Sequence, residues 1–261
     1  MKKQMLATTL VLTMATLAAC GTTEKEASTP AAPEAPKVLV MGTSADYPPF
    51  EYIDTANGNE IIGFDIDLAK LIGEKLGFEV KVEDMDFNSL IPALQSNKFD
   101  FVLAGMSPDA EREKVVDFSI PYNETVQMIV TTKESGIETL EDLEGKKLGV
   151  QIGSIQEKLG LQVAETIPMT VETRNLIPEL VQEIMSKRFD AVIIEDIVAE
   201  NFASKNESLT YFPVEIDNTD YKAAVFPEGS ELKESFNTAI QELINEGKIE
   251  ELREKWFTSQ E

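Results

Sequence analysis

The chain has 261 residues, with 23 Lys and Arg against 47 Asp and Glu, a formal net charge of −24 at pH 7. That balance argues against nucleic acid and against anionic membrane surfaces as partners, since both are recognised through positive charge. There is no histidine and a single cysteine, which excludes imidazole-built metal sites and Ser-His or Cys-His catalysis. No metal and no cofactor is expected. The acids are spread over helix faces rather than run together, the pattern of a solvated surface.

The first residues read MKKQMLATTLVLTMATLAAC. Lys2 and Lys3 precede an apolar run from Met5, and small residues close it. Residues 1–19 thus have the plan of a secretory signal peptide, too short for a spanning helix. The closing LAAC resembles the bacterial lipobox, which implies that Cys20 becomes the lipidated first residue of the mature protein. Residues 20–36 are small, polar and Pro-rich, a composition that buries nothing and reads as a flexible tether. The expected location is extracytoplasmic, with the lipid on Cys20 holding the protein to the outer face of a bacterial cell membrane.

Residues 37–261 remain for folding, enough for one large domain or two lobes. VLVMGTS reads as a strand, and YIDTANGNEIIGF as a hairpin turning at Asn57-Gly58. DIDLAKLIGEKLG is a helix with Leu68, Leu71, Ile72 and Leu76 on one face and Gly77 as its stop. FEVKVEDMDF alternates like a strand, NSLIPALQSN is a helix capped by Asn88, and FDFVLAGM is a buried strand. Ser107-Pro108 then has the chemistry of a helix start, Ser as cap and Pro at the first helical position. Further on, TLEDLEG reads as a short helix capped by Thr139. KKLGVQIG is a strand, SIQEKLGLQVAE a helix and DAVIIED a strand; residues 231–257 are helical with a break near Gly247. No transmembrane helix follows the signal peptide. Strands alternating with helices give an α/β fold with a mostly parallel sheet.

One internal echo stands out. LIPALQSNKFDFVLAG (Leu90 to Gly105) matches LIPELVQEIMSKRFDAVIIE (Leu176 to Glu195): Leu-Ile-Pro, a helix, Phe-Asp, then an apolar strand. Either two α/β units share period and turns by chance, or the protein has two similar lobes. In the second case the crevice between them is the default binding site.

The residues after the strand at Leu103 suggest what that crevice holds. A helix starting at Ser107 would offer free N–H groups and a positive dipole end, and Arg112 would point from the same face. With Gly105, these residues could clamp a small carboxylate, because arginine forks onto one bidentately. The alternative is Arg112 paired with Asp109 or Glu111 on a wet surface. A second such terminus lies at Ser154, where the hydroxyl and the N–H of Ile155 suit the other carboxylate oxygen, or simply cap an ordinary helix.

MGTSADYPPFEY, GFDIDLAKLIGEKLG, MDFNSLIPALQS, LAGMSPDAEREKVVDFS, GVQIGSIQEKLG and RFDAVIIEDIVAE together resemble the polar amino-acid-binding proteins of ABC importers, and within them the arginine-binding lipoproteins of Gram-positive bacteria. The resemblance covers residues 38–257. It implies a two-lobed type II periplasmic-binding fold with the ligand between the lobes. Residues 37–124 and 216–261 would form lobe 1, and residues 125–215 lobe 2, with crossings near Tyr122–Val126 and Glu215–Asp220. It also implies a ligand's α-carboxylate on Arg112, Ser107, Ser154 and Ile155, beside Gly105 and Met106, and its α-ammonium on Glu195, with Asp196 as the neighbouring alternative. Tyr47 and Phe87 would flank the ligand side chain, where a guanidinium gains from ring faces, although each aromatic could equally be core. Relatives place Asp where this chain has Ser44, so the acid that a cationic side chain needs falls to Asp46 or Glu51, with Gln151 and Gln156 on the opposite lobe. Without either acid, glutamine or another neutral amino acid fits better. The expected protein is a monomeric receptor, not an enzyme, that delivers an L-amino acid, arginine first, to a permease with separate ATPase subunits. A dehydratase of the same fold is the alternative from another class.

Overall fold

The computed structural model describes residues 37–214 and 219–258; the expected signal peptide, Cys20 and the expected tether lie outside them. Strand β1 (Lys37–Thr43) leads into a three-stranded excursion, β2 (Asp46–Tyr47), β3 (Glu51–Asp54) and β4 (Glu60–Ile62). The β3–β4 connection is the expected hairpin, and the Asp54 carboxylate stabilises its turn by accepting from the N–H groups of Ala56 and Asn57. Helix α1 (Phe64–Leu76) buries Leu68 and Ile72, while Leu76 at its end is exposed. Strand β5 (Phe78–Asp84), helix α2 (Leu90–Gln95), β6 (Phe101–Val102) and β7 (Val116–Phe118) complete the first half.

The second half runs β8 (Asn123–Thr132), β9 (Lys147–Gln151), α3 (Ile155–Ala164), β10 (Thr170–Arg174), α4 (Ile177–Met185), β11 (Ala191–Glu195), α5 (Asp196–Ser204), β12 (Leu209–Pro213) and β13 (Thr219–Lys222). The chain then returns through β14 (Val225–Pro227) to α6 (Leu232–Asn245) and α7 (Lys248–Trp256), which part at Gly247. Among the described residues no helix is long and apolar enough to cross a membrane.

Two main sheets result. One has the order β5-β1-β6-β14-β7; the other has β10-β9-β11-β8-β12, with β13 paired to β8. Their first three strands are parallel, as the strand–helix alternation predicts. The chain passes from the first sheet to the second between Phe118 and Asn123, and back between Lys222 and Val225.

The sequence echo falls on one repeated unit. Strand–α1–β5–α2–β6 and strand–α3–β10–α4–β11 wind identically, with β1 and β9 in the centre. Asp100 joins its strand to β1 by accepting from Val40 N–H (2.7 Å) while its own N–H donates to Val40 O (2.8 Å). Asp190 does the same with Lys147, at 2.8 and 2.9 Å. Phe99 lies so close under Gly42 that an added Cβ would sit 2.4 Å from its ring, and Phe189 lies under Gly149 at the same 2.4 Å.

Three local expectations are corrected. No helix starts at Ser107: residues 103–109 are irregular, and only a 3-10 turn, Arg112–Lys114, follows. Asp109 takes the capping part, accepting from Glu111 N–H and Arg112 N–H, because the Ser107 hydroxyl and carbonyl are both engaged elsewhere. Helix α2 is preceded by a 3-10 turn, Phe87–Ser89, and has no side-chain cap, so Asn88 does not play that role. Near Thr139 only a 3-10 turn, Glu141–Leu143, forms. Asp142 there accepts from the Thr139 N–H and hydroxyl, the reverse of the expected cap.

Candidate functional site

The ends of the central strands and the β2–β3 excursion meet across a cleft. Ser44, Asp46, Tyr47, Glu51, Phe87, Ala104 and Gly105 from the first half face Gln151, Gln156 and Glu195 from the second, around a cavity of about 10 Å³. That is room for about one water molecule. The walls are held together by their own side chains.

Asp46 shows how. Its Oδ1 accepts from the Ser44 hydroxyl (2.8 Å), and its Oδ2 accepts from Ile177 N–H (2.7 Å) and Gln151 Nε2 (3.2 Å) across the cleft. Burial nevertheless pushes its pKa up to about 6, since desolvation of the charge outweighs these bonds.

Glu51 is more extreme. It is 0% exposed, and neither carboxylate oxygen has a hydrogen-bond partner. Burial first, then the charges of Asp65 and Asp46, hold its pKa well above the ordinary carboxylate range. Asp65 beside it accepts from Gly105 N–H and the Tyr122 hydroxyl, both at 2.8 Å, while its Oδ1 is without a donor; burial pushes it to about 6. For both groups burial is the largest cause, and the Lys222 charge opposes it only in part. Gly105 completes this corner: its φ is +52°, and a Cβ there would lie 3.1 Å from the Tyr47 ring.

At the other end, the buried Arg112 guanidinium donates to Ser107 O (2.6 Å) and Gly153 O (2.9 Å), so it spans both halves. Its Nε is 3.4 Å from Asp109, the pairing that the sequence left open, and it sits 5.5 Å from the Phe87 ring centroid. Burial lowers its pKa from the ordinary value, against the pull of Asp109 and Asp220, but a guanidinium stays charged. Ser154 caps α3, accepting from Glu157 N–H and donating to Gln151 O. Ser107, Arg112, Ser154 and Ile155 thus flank the cavity without lining it. Met106 turns its side chain into the core beneath α2, and its carbonyl accepts from Ala223 N–H.

Glu195 lines the cavity, whereas Asp196 accepts from Val126 N–H at the start of β8. Glu195 Oε1 accepts from Gln156 Nε2 (2.6 Å) and from Lys222 Nζ (2.5 Å). Burial raises the Glu195 pKa, offset in part by Lys222. Sequence reasoning missed Asp65, Asp220 and Lys222. A signal existed for Lys222, a lone charge inside the apolar run YKAAVF; none distinguished Asp65 from the other acid of α1's first turn.

Residues 39–259 match the family of bacterial extracellular solute-binding proteins, family 3. Over 262 aligned residues the chain is 46% identical to the arginine-binding extracellular protein ArtP of Bacillus subtilis (strain 168), covering 100% of each. Among solved structures it is similar to an ancestral arginine-binding protein bound to arginine, with 41% identity and a TM-score of 0.79 over 84% of this chain and 98% of that one. An ancestral arginine-binding protein bound to glutamine is similar too, with 41% identity and a TM-score of 0.77 over 84% of this chain and 97% of that one. A two-lobed α/β frame, a cleft closed by paired side chains and a match over nearly all described residues lead to one conclusion: the chain belongs to the bacterial extracellular solute-binding proteins of family 3.

Proposed function

We propose that the protein captures L-arginine between its two halves outside the cytoplasm and hands it to the membrane permease of an ABC importer. Glu51 carries this reading. A fully buried carboxyl with no donor on either oxygen, flanked by Asp46 and Asp65, is a poor choice for a neutral ligand. It suits a guanidinium, which brings N–H donors and the missing positive charge. Tyr47 and Phe87 line the same cavity and offer ring faces to that group. The ligand's α-carboxylate goes to Arg112, whose five N–H donors are only partly used by Ser107 O, Gly153 O and Asp109. The first-turn N–H of Ile155 adds a further donor, and the α-ammonium goes to Glu195.

A cavity of about 10 Å³ admits no amino acid until its walls part. Binding and closure are therefore one equilibrium, driven by a ligand that touches both walls at once. Cys20 carries the lipid anchor in this reading, and the protein works as a monomer without catalysing a reaction. Cys20→Ala protein released into the medium supports the anchor; protein that stays on the membrane refutes it.

Thermal unfolding with each of the twenty amino acids tests the ligand. At one hundred times its dissociation constant, arginine should raise the midpoint by about 5–10 °C. Glu51→Gln should abolish that preference. A shift with glutamine alone keeps the receptor and discards the cationic pocket. No shift with any of them sinks the reading, and substrate turnover in the mixtures would point to a dehydratase using the same carboxyls as acid and base.

A further inference from the structure

Lys222 is the only buried lysine among the described residues, 1% exposed. A charged ammonium stays in such a place only where acceptors surround it. Its Nζ donates to Glu195 Oε1 (2.5 Å), Ser107 Oγ (2.9 Å) and Asp220 Oδ2 (3.0 Å). Those partners come from the end of β11, the loop after β6 and β13 itself. An ammonium has three N–H donors, and all of them are used.

A ligand's α-ammonium has the same charge and the same three donors, and it needs the same acceptor, Glu195. While Lys222 is in place, both of the cleft-side groups it touches are engaged. Ser107 Oγ accepts from Lys222 and donates to Asp220 (2.6 Å), and Glu195 Oε1 is shared with Gln156. Only Glu195 Oε2 is without a partner, and an ammonium arriving there meets a like charge already on the same carboxylate. Lys222 either leaves or repels, and both outcomes weaken a ligand that carries an α-ammonium.

We infer that Lys222 is a tethered competitor for the ammonium subsite, and so a determinant of affinity and specificity. It holds Glu195 as the ligand's α-ammonium would, and it penalises α-amino acids relative to carboxylates that lack the α-amino group. This rests on the amino-acid reading above, through Glu195.

Calorimetric titration of the full protein with L-arginine and with 5-guanidinopentanoate, its analogue without the α-amino group, tests the inference. Replacing Lys222 by an uncharged side chain of similar length, Lys222→Met, should tighten arginine about tenfold, the worth of one charged hydrogen bond. The analogue should bind no tighter, so the ratio of the two dissociation constants moves about tenfold toward arginine. Lys222→Arg should keep the wild-type ratio. Lys222→Gln, which is neutral but still a donor, serves if the Met variant does not fold. Arginine binding with an unmoved ratio, or equal weakening of both ligands, overturns the competitor and leaves the receptor standing. No binding of either ligand by any of these proteins overturns the receptor reading, and this inference with it.

Discussion

The two halves share a frame and differ at its tips. Counting five residues beyond Asp100 and Asp190 reaches Gly105 in one half and Glu195 in the other. Up to that point the units share an order of elements and three local features. Each carries a carboxylate that fastens its third strand to its first, a Phe under a central glycine, and a left-handed residue before that Phe, Asn97 (φ 57°) or Lys187 (φ 59°). At the strand ends the first half supplies Asp46 and Glu51, with Asp65 behind them, and the second supplies Gln151, Gln156 and Glu195. Packing constrains the repeated residues, while the divergent ones face the cleft.

Removing the shared aromatic tests that equivalence most severely. Phe99→Ala and Phe189→Ala each empty a buried site, and each should cost about 3–5 kcal/mol in urea unfolding. A loss in one half several times that in the other would break the comparison. Gly42→Ala and Gly149→Ala approach the same contact from the backbone side. A Cβ 2.4 Å from the ring forces a shift costing about 1–3 kcal/mol, and the two variants should again agree.

A pH series separates the tips. Asp46 and Asp65 titrate near 6 when folded instead of 3.8, so the folded state binds more protons than the unfolded one above pH 4. Their contribution is favourable at low pH and is lost as pH rises from about 4 to about 6. Carboxylates such as Asp117 and Asp142, held below their usual range, slope the other way, so the informative quantity is the difference between proteins. Asp46→Asn should flatten the fall in unfolding midpoint between pH 4 and 6. Gln151→Ala, which takes a donor from Asp46 Oδ2 across the cleft, should raise the Asp46 pKa further and steepen that fall. The smallest effect belongs to the left-handed residues: Lys187→Gly should stabilise by up to about 1 kcal/mol and Asn97→Gly by less, because Asn tolerates that conformation better.

Much of the frame was legible because it is local or periodic. Leu68 and Ile72 on one helix face, the turn at Asn57-Gly58 and the Phe-Asp echo all declare themselves within a few residues. The cleft was legible in part. Glu51, Asp46 and Glu195 could be named, but not what they do to one another. Ser107-Pro108 misled because a capping rule sees only neighbours. The partners that claim the Ser107 hydroxyl, Asp220 and Lys222, stand 113 and 115 residues away. Lys222 carried a local signal, a lone charge inside the apolar run YKAAVF, but its partners Ser107 and Glu195 are 115 and 27 residues away.

Strand β8 has a mechanical consequence. Its ten residues pair with β13 over Asn123–Val126, then with β11 and β12 over Gln127–Thr132, without interruption. At about 3.3 Å per residue such a strand is a lever roughly 30 Å long. A turn of about 10° at its Asn123 end would carry the far end through about 5 Å, a displacement set by that length. Torsion at four residue pairs next to the cleft would thus be amplified into movement of a whole sheet.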